Sequence, residues 1–151
     1  MTEAPVAIVT GAASGIGAAV VTALRGRGFA VAGLDLVDAN DVDYAVRADV
    51  SDGAAVASAV AAVRERLGPV HAAVSVAGHY AMAPVGEIAA TAWRRMLRVH
   101  LGGFVNLARA CLPDLEVTKG ALVAIASELA VGGGDHDAHY AAAKGALLGA
   151  M

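Results

Sequence analysis

A single cysteine, Cys111, stands in the whole chain, so no internal disulfide can form and a cytoplasmic location is expected. Basic runs are missing as well. With 11 Lys and Arg against 14 Asp and Glu, the formal net charge is -3, which argues against nucleic acid and anionic membrane as partners. Gly, Asp, Arg or Ser interrupts every apolar stretch well before the ~20 residues that a membrane-crossing helix needs. The opening Met1-Thr2-Glu3-Ala4-Pro5 has no basic segment, so a secretory signal is not expected. Repeats and low-complexity linkers are absent, which leaves no sign of an internal domain boundary. What remains is a chain of 151 residues, 58% hydrophobic and 17% charged, enough to bury the core of one globular domain.

Five short apolar runs alternate with helical patterns. Val6-Ala7-Ile8-Val9-Thr10, bounded by Pro5 and Gly11, reads as a buried strand. Residues 15–27 read as a helix closed by Gly28, residues 30–35 as a second strand and 44–48 as a third. Ser51 or Asp52 can cap a helix running to Leu67, with Gly68 at its end. Residues 70–77 form strand four, 90–112 a helix ended by Pro113, and 121–126 strand five. A glycine-rich loop then leads to a helix opening near His139. Uniformly apolar strands with helices between them specify a parallel sheet covered on both faces. The expected fold is therefore α/β, a three-layer, doubly wound, Rossmann-type sheet. Such folds normally carry six strands in the order 3-2-1-4-5-6, and five are visible here. The chain stops at Met151 in mid-helix, so residues 1–151 read as a single domain of this kind, truncated at its C-terminus within that last helix.

Thr10-Gly11-Ala12-Ala13-Ser14-Gly15-Ile16-Gly17 lies between the first strand and the first helix. Glycines there let the backbone turn sharply and approach a pyrophosphate, whose charge a helix N-terminus favours. A glycine-rich loop alone is weak evidence; its place at the head of an alternating pattern gives it weight. Asp35 ends strand two, where a carboxylate can accept a ribose 2′-hydroxyl and repel a 2′-phosphate. The plainer alternative is a solvated loop aspartate. Tyr140-Ala141-Ala142-Ala143-Lys144 puts a phenol and an ammonium on one helical face, where the cation favours phenolate. Ser127 lies just past strand five, at the carboxyl edge where open α/β sheets bind ligands. Asp135-His136-Asp137-Ala138-His139 has no partner cluster, so a substrate-mouth loop is expected and a metal is not. Gly102-Gly103 within a helix points to close packing, and Cys111 to packing rather than chemistry. His79 and Tyr80 either face the nicotinamide or merely start a loop.

The glycine spacing, the Ser127-to-Tyr140 separation and Tyr140-x-x-x-Lys144 together resemble the short-chain dehydrogenase/reductase family over the whole visible chain. The resemblance implies hydride transfer between NAD and a secondary alcohol or ketone. Ser127 would orient the substrate oxygen, Tyr140 would take its proton, and Lys144 would support the phenolate and bind the nicotinamide ribose. Cofactor contacts are implied for Thr10, Gly11, Ser14, Gly15, Ile16, Gly17, Asp35, Asp49, Val50, Ala77, Gly78, Tyr140 and Lys144. Asp49 would touch the adenine, with a turn residue as the alternative. Ser14 stands where phosphate-binding relatives often carry a basic residue, and Leu36 is uncharged; both favour NAD over NADP. Ser75 and Val76 depart from the family's Asn-Asn before Ala77-Gly78. His100 replaces the family's asparagine, whose water links the lysine to solvent; imidazole could do the same and add a pH dependence near neutrality. Homodimers or homotetramers through the helices of His100 and Tyr140 are also implied. The rival class is a non-catalytic dinucleotide-binding sensor or partner-binding protein. Substrate identity stays open between cyclic dihydrodiols, 3-oxoacyl thioesters and other small alcohols or ketones.

Overall fold

Strands β1 (Val6–Thr10), β2 (Ala30–Asp35), β3 (Tyr44–Arg47), β4 (Val70–Ser75) and β5 (Ala121–Ala124) form one parallel sheet in the order β3-β2-β1-β4-β5. The computed structural model describes residues 4–151. Met1, Thr2 and Glu3, on which part of the signal-peptide reading rests, lie outside the described residues. Helices α1 (Gly15–Arg25), α2 (Gly53–Leu67), α3 (Ala90–Leu97), α4 (Gly103–Thr118), α5 (Leu129–Gly132) and α6 (Ala138–Ala150) complete the α/β fold. None is long and apolar enough to cross a membrane.

The two-residue period of β1 sends its side chains to opposite faces. Val6 and Ile8 pack with Val56, Val60, Leu107 and Cys111, while Ala7 and Val9 pack with Ala12, Val21 and Val31. That is the double burial expected of the sheet centre. β3 and β5, at the two edges of the described sheet, instead alternate half-buried with exposed residues.

Several boundaries move from their expected places, each for a local reason. α1 stops at Arg25 and the chain reverses through Gly28, whose φ of 84° is cheap only for glycine. Asp52, rather than Ser51, caps α2 by accepting the amides of Ala54 and Ala55. β4 ends two residues early because the amides of Val76 and Ala77 turn to donate to the Thr10 hydroxyl. β5 ends at Ala124, and the glycine-rich loop after it contains the single turn α5.

The helix expected over 90–112 is three pieces and runs past Pro113. A wide π turn, Arg98–Gly102, joins α3 to α4; such turns are frequent at functional sites. Pro113 is tolerated because it is exposed and so is Arg109, whose carbonyl loses its helical donor to water. The helix ends instead at Lys119, in the left-handed region at φ 55°. Gly103 meets the close packing expected of it, since a Cβ there would lie 2.8 Å from Val50 Cγ2; Gly102 has no such neighbour.

Candidate cofactor and catalytic site

The chain order reverses between β1 and β4, and a cleft of about 820 Å³ opens at that carboxyl end. That volume lies within the ~300–1,000 Å³ of ordinary ligand clefts. Gly11, Ser14, Gly15, Ile16 and Gly17 line it from the loop, and Ala77 and Gly78 from the end of β4. Asp35, Asp49 and Val50 line it as well. Thr10 does not; it is buried beneath, tying β1 to the chain beyond β4.

The loop fits a phosphate cradle. Gly11 and Gly15 hold positive φ, 67° and 53°, and a Cβ on Gly17 would collide with the Gly11 carbonyl oxygen. A Cβ on Gly11 would stand 2.9 Å from the Ala77 backbone. Ser14 caps α1 by position but makes no side-chain cap bond, so its hydroxyl is free toward the cleft. Asp35 accepts the Ala13 amide on one oxygen (3.0 Å) and its neighbour Leu36 on the other (2.7 Å). Each oxygen keeps a second lone pair. Asp49 accepts the Ser51 amide at 2.8 Å, so it is both a turn residue and a cleft residue.

Ser127, Tyr140, Lys144 and His100 do not line this cleft. Three of them gather beside it. Lys144 is buried on α6 and donates to the Ile125 carbonyl at 2.5 Å, just past β5; its Nζ lies 5.7 Å from the centre of the Tyr140 ring. Burial lowers the lysine pKa. The His100 ring stands edge-on to Tyr140, 5.5 Å between centres. Ser127 follows β5 and accepts the Leu129 amide at 3.2 Å, starting the α5 turn.

His100 is held tightly. Its Nε2 lies 2.9 Å from the His79 carbonyl oxygen and 3.2 Å from the His79 amide nitrogen. One ring nitrogen serves only one of these, and the shorter contact favours donation to the carbonyl. Nδ1 is then a lone-pair acceptor, buried and without a protein partner. Gly78 lies so close that a Cβ would strike the ring.

Burial, with Lys144 and His79 adding to it against the bond to the His79 carbonyl, lowers the His100 pKa to about 4. The added pH dependence near neutrality is therefore corrected: the ring is neutral there and titrates in acid. An unfolded imidazole takes its proton near 6.5, so between 6.5 and about 4 the unfolded chain holds the extra proton. Stability then falls as pH falls through that window. Denaturant titrations at pH 7 and pH 4 should show wild type losing about 3 kcal/mol more than His100→Asn. Parallel losses would mean that the ring is not desolvated.

Tyr80, one of the two residues after β4 that the sequence singles out, meets partners that the sequence does not indicate. Tyr80 donates to the carboxylate of Asp137 at 2.5 Å, and its ring stands edge-on to Tyr140 at 4.9 Å. The Ala83 amide, bonded to the His136 carbonyl, ties the same two loops. His79 lines the cleft. Thr91, Arg94, Arg95 and Arg98, not among the residues the sequence singles out, line it from α3 and the π turn. Cys111 packs in the core, where burial pushes its thiol up to about 12. Among the described residues no three His, Cys, Asp or Glu side chains converge as a metal site.

A glycine cradle at the sheet's switch point, with a carboxylate ending the adjacent strand, defines the dinucleotide-binding class of α/β proteins. A family model described as short chain dehydrogenase matches residues 5–151, and the chain belongs to that family. It is 34% identical over 153 residues to meso-2,3-butanediol dehydrogenase of Serratia marcescens, covering 95% of this chain and 61% of that one. To D-threitol dehydrogenase of Mycolicibacterium smegmatis it is 32% identical, covering 97% and 62%. Cis-4-hydroxycyclohexanecarboxylate dehydrogenase of Sinomonas cyclohexanicum is 36% identical, covering 92% and 61%. A ligand-free structure of Thermoplasma acidophilum aldohexose dehydrogenase superposes with a TM-score of 0.93 at 25% identity, covering 98% of this chain and 59% of that one. The chain thus spans about six-tenths of the length of these relatives.

Proposed function

We propose that the protein is an NAD-dependent oxidoreductase acting on a secondary alcohol or its ketone. Residues 1–151 would form one nucleotide-binding domain of it. The observation that carries this reading is the Tyr140–Lys144 pair on α6, anchored to the chain just past β5 beside the glycine-loop cleft. Relatives named for butanediol, threitol and hydroxycyclohexanecarboxylate support an alcohol as substrate.

The bound nicotinamide would supply the acceptor for the hydride of the carbinol carbon. Ser127 donates a hydrogen bond to the substrate oxygen and orients it. Tyr140 takes the hydroxyl proton, and the Lys144 ammonium stabilises the negative charge on the phenol oxygen. Lys144 is well placed for this because only a carbonyl, and no carboxylate, holds its ammonium. His100, whose buried Nδ1 is a neutral acceptor without a protein partner, would carry the proton path beyond Lys144 through a water. Gly11, Gly15 and Gly17 would hold the pyrophosphate, Asp35 would accept the adenosine ribose hydroxyls, and Asp49 would lie toward the adenine.

Cytoplasmic location and assembly into homodimers or homotetramers through α4 and α6 belong to the same proposal. Exposed Val105 and Leu112 on α4 and Leu148 on α6 support such an interface. Appearance of reduced nicotinamide with a panel of secondary alcohols tests the activity; no turnover across the panel would leave the non-catalytic sensor. Calorimetric titration should show NAD binding at least about tenfold tighter than NADP, since a 2′-phosphate would meet the Asp35 carboxylate. Equal or tighter NADP binding would remove Asp35 from its role.

A further inference from the structure

Thr91, Arg94, Arg95 and Arg98 recur at i, i+3, i+4 and i+7, the spacing of one helical face, and all four line the cleft of the glycine loop. Three guanidiniums on one stripe raise a positive field along one wall of the cleft, which attracts an anion to it. None is supplied by the fold. Arg25, Arg47 and Arg64 each hold a carboxylate, from Asp43, Asp38 and Asp114. The three arginines of the stripe form no ion pair among the described residues. Arg27, Arg66 and Arg109 form none either, but they do not line the cleft. The carboxylates that do line it, Asp35 and Asp49, are engaged by the backbone amides of Ala13, Leu36 and Ser51. The field of Arg95 also reaches His79, disfavouring its protonated form after burial has done so.

We infer that Arg94, Arg95 and Arg98 bind the pyrophosphate of the dinucleotide, supplying the charge that the glycine loop lacks. This rests on the nucleotide reading of the cleft. The loop contributes backbone amides at the start of α1, whereas guanidinium forks add charge-assisted bonds to phosphate oxygens. A 2′-phosphate is the poorer candidate, because it would lie against the Asp35 carboxylate. Affinity for the nucleotide should then depend on ionic strength, as exposed charge pairs do.

The test is calorimetric titration of adenosine, ADP, NAD and NADP into wild type and the Arg94→Gln/Arg95→Gln/Arg98→Gln variant, at low and high salt. Circular dichroism melts check that both are folded. Wild type should prefer ADP to adenosine, and the variant should lose about 10–100-fold for ADP and NAD with adenosine unchanged. The salt dependence should flatten with it. Unchanged ADP and NAD affinity in the variant would make the stripe a solvated face and overturn the inference. An equal loss for adenosine, or a loss confined to NADP, would overturn it as well. Folded wild type that binds neither ADP nor NAD would bring down the nucleotide reading itself, which separates the two failures.

Discussion

Tyr140→Phe should lower turnover by roughly 10²–10⁴-fold, the range that a positioned proton acceptor contributes, while NAD affinity changes little. The phenyl ring still fills the space between Tyr80 and His100, whose rings stand edge-on to it at 4.9 and 5.5 Å. The hydrogen bonds of Tyr80, His100 and Lys144 all go elsewhere, to Asp137, His79 and Ile125. Removing the hydroxyl therefore strands no buried partner, and the melting temperature should hold. Steady-state rates with a secondary alcohol, NAD titration and a thermal melt check the three parts. Near-normal turnover would reject the proton-transfer role, and a loss of NAD affinity matching the loss of rate would make the residue structural.

Gly17→Ala should cost at least ~100-fold in NAD affinity, because misplacing a binding loop by an ångström has effects of that order. The added methyl would overlap the Gly11 carbonyl oxygen and stand 2.6 Å from its carbon, and backbone cannot rotate away as a side chain can. Overpacking of this kind also costs about 1–3 kcal/mol of stability. Gly28, which does not line the cleft, is the control. Its Cβ would meet nothing within 4 Å, so Gly28→Ala pays only for a left-handed φ of 84°, roughly 1–2 kcal/mol. Titration of both variants beside wild type decides the matter; equal NAD affinity in all three would show that the close approach of Gly17 to Gly11 is immaterial.

The centre of the sheet was legible because valine, isoleucine, leucine and alanine dominate β1, β2 and β4 without polar alternation, the pattern of strands buried on both faces. The switch-point cleft followed from topology, and the Tyr140–Lys144 pair from a four-residue spacing. Other features have no local signature. Tyr80 and Asp137 meet across 57 positions of sequence, so no window contains both. Pro113 reads as a helix end until the exposure of its turn is known. The π turn at Arg98–Gly102 follows no familiar residue pattern, and it carries His100, whose titration burial displaces to about 4. The arginine stripe was readable in principle, since its spacing is helical. Charged residues on a helix ordinarily face water, so the spacing alone does not mark a ligand site.

Thr10 holds the floor of the cleft without lining it. One hydroxyl receives the amides of both Val76 and Ala77, at 3.0 and 3.1 Å, and so staples the two central strands where their paths diverge. On the nucleotide reading, the width of the slot is then fastened at its floor before any ligand enters, and loss of the Thr10 hydroxyl should show first as faster amide exchange at Val76 and Ala77.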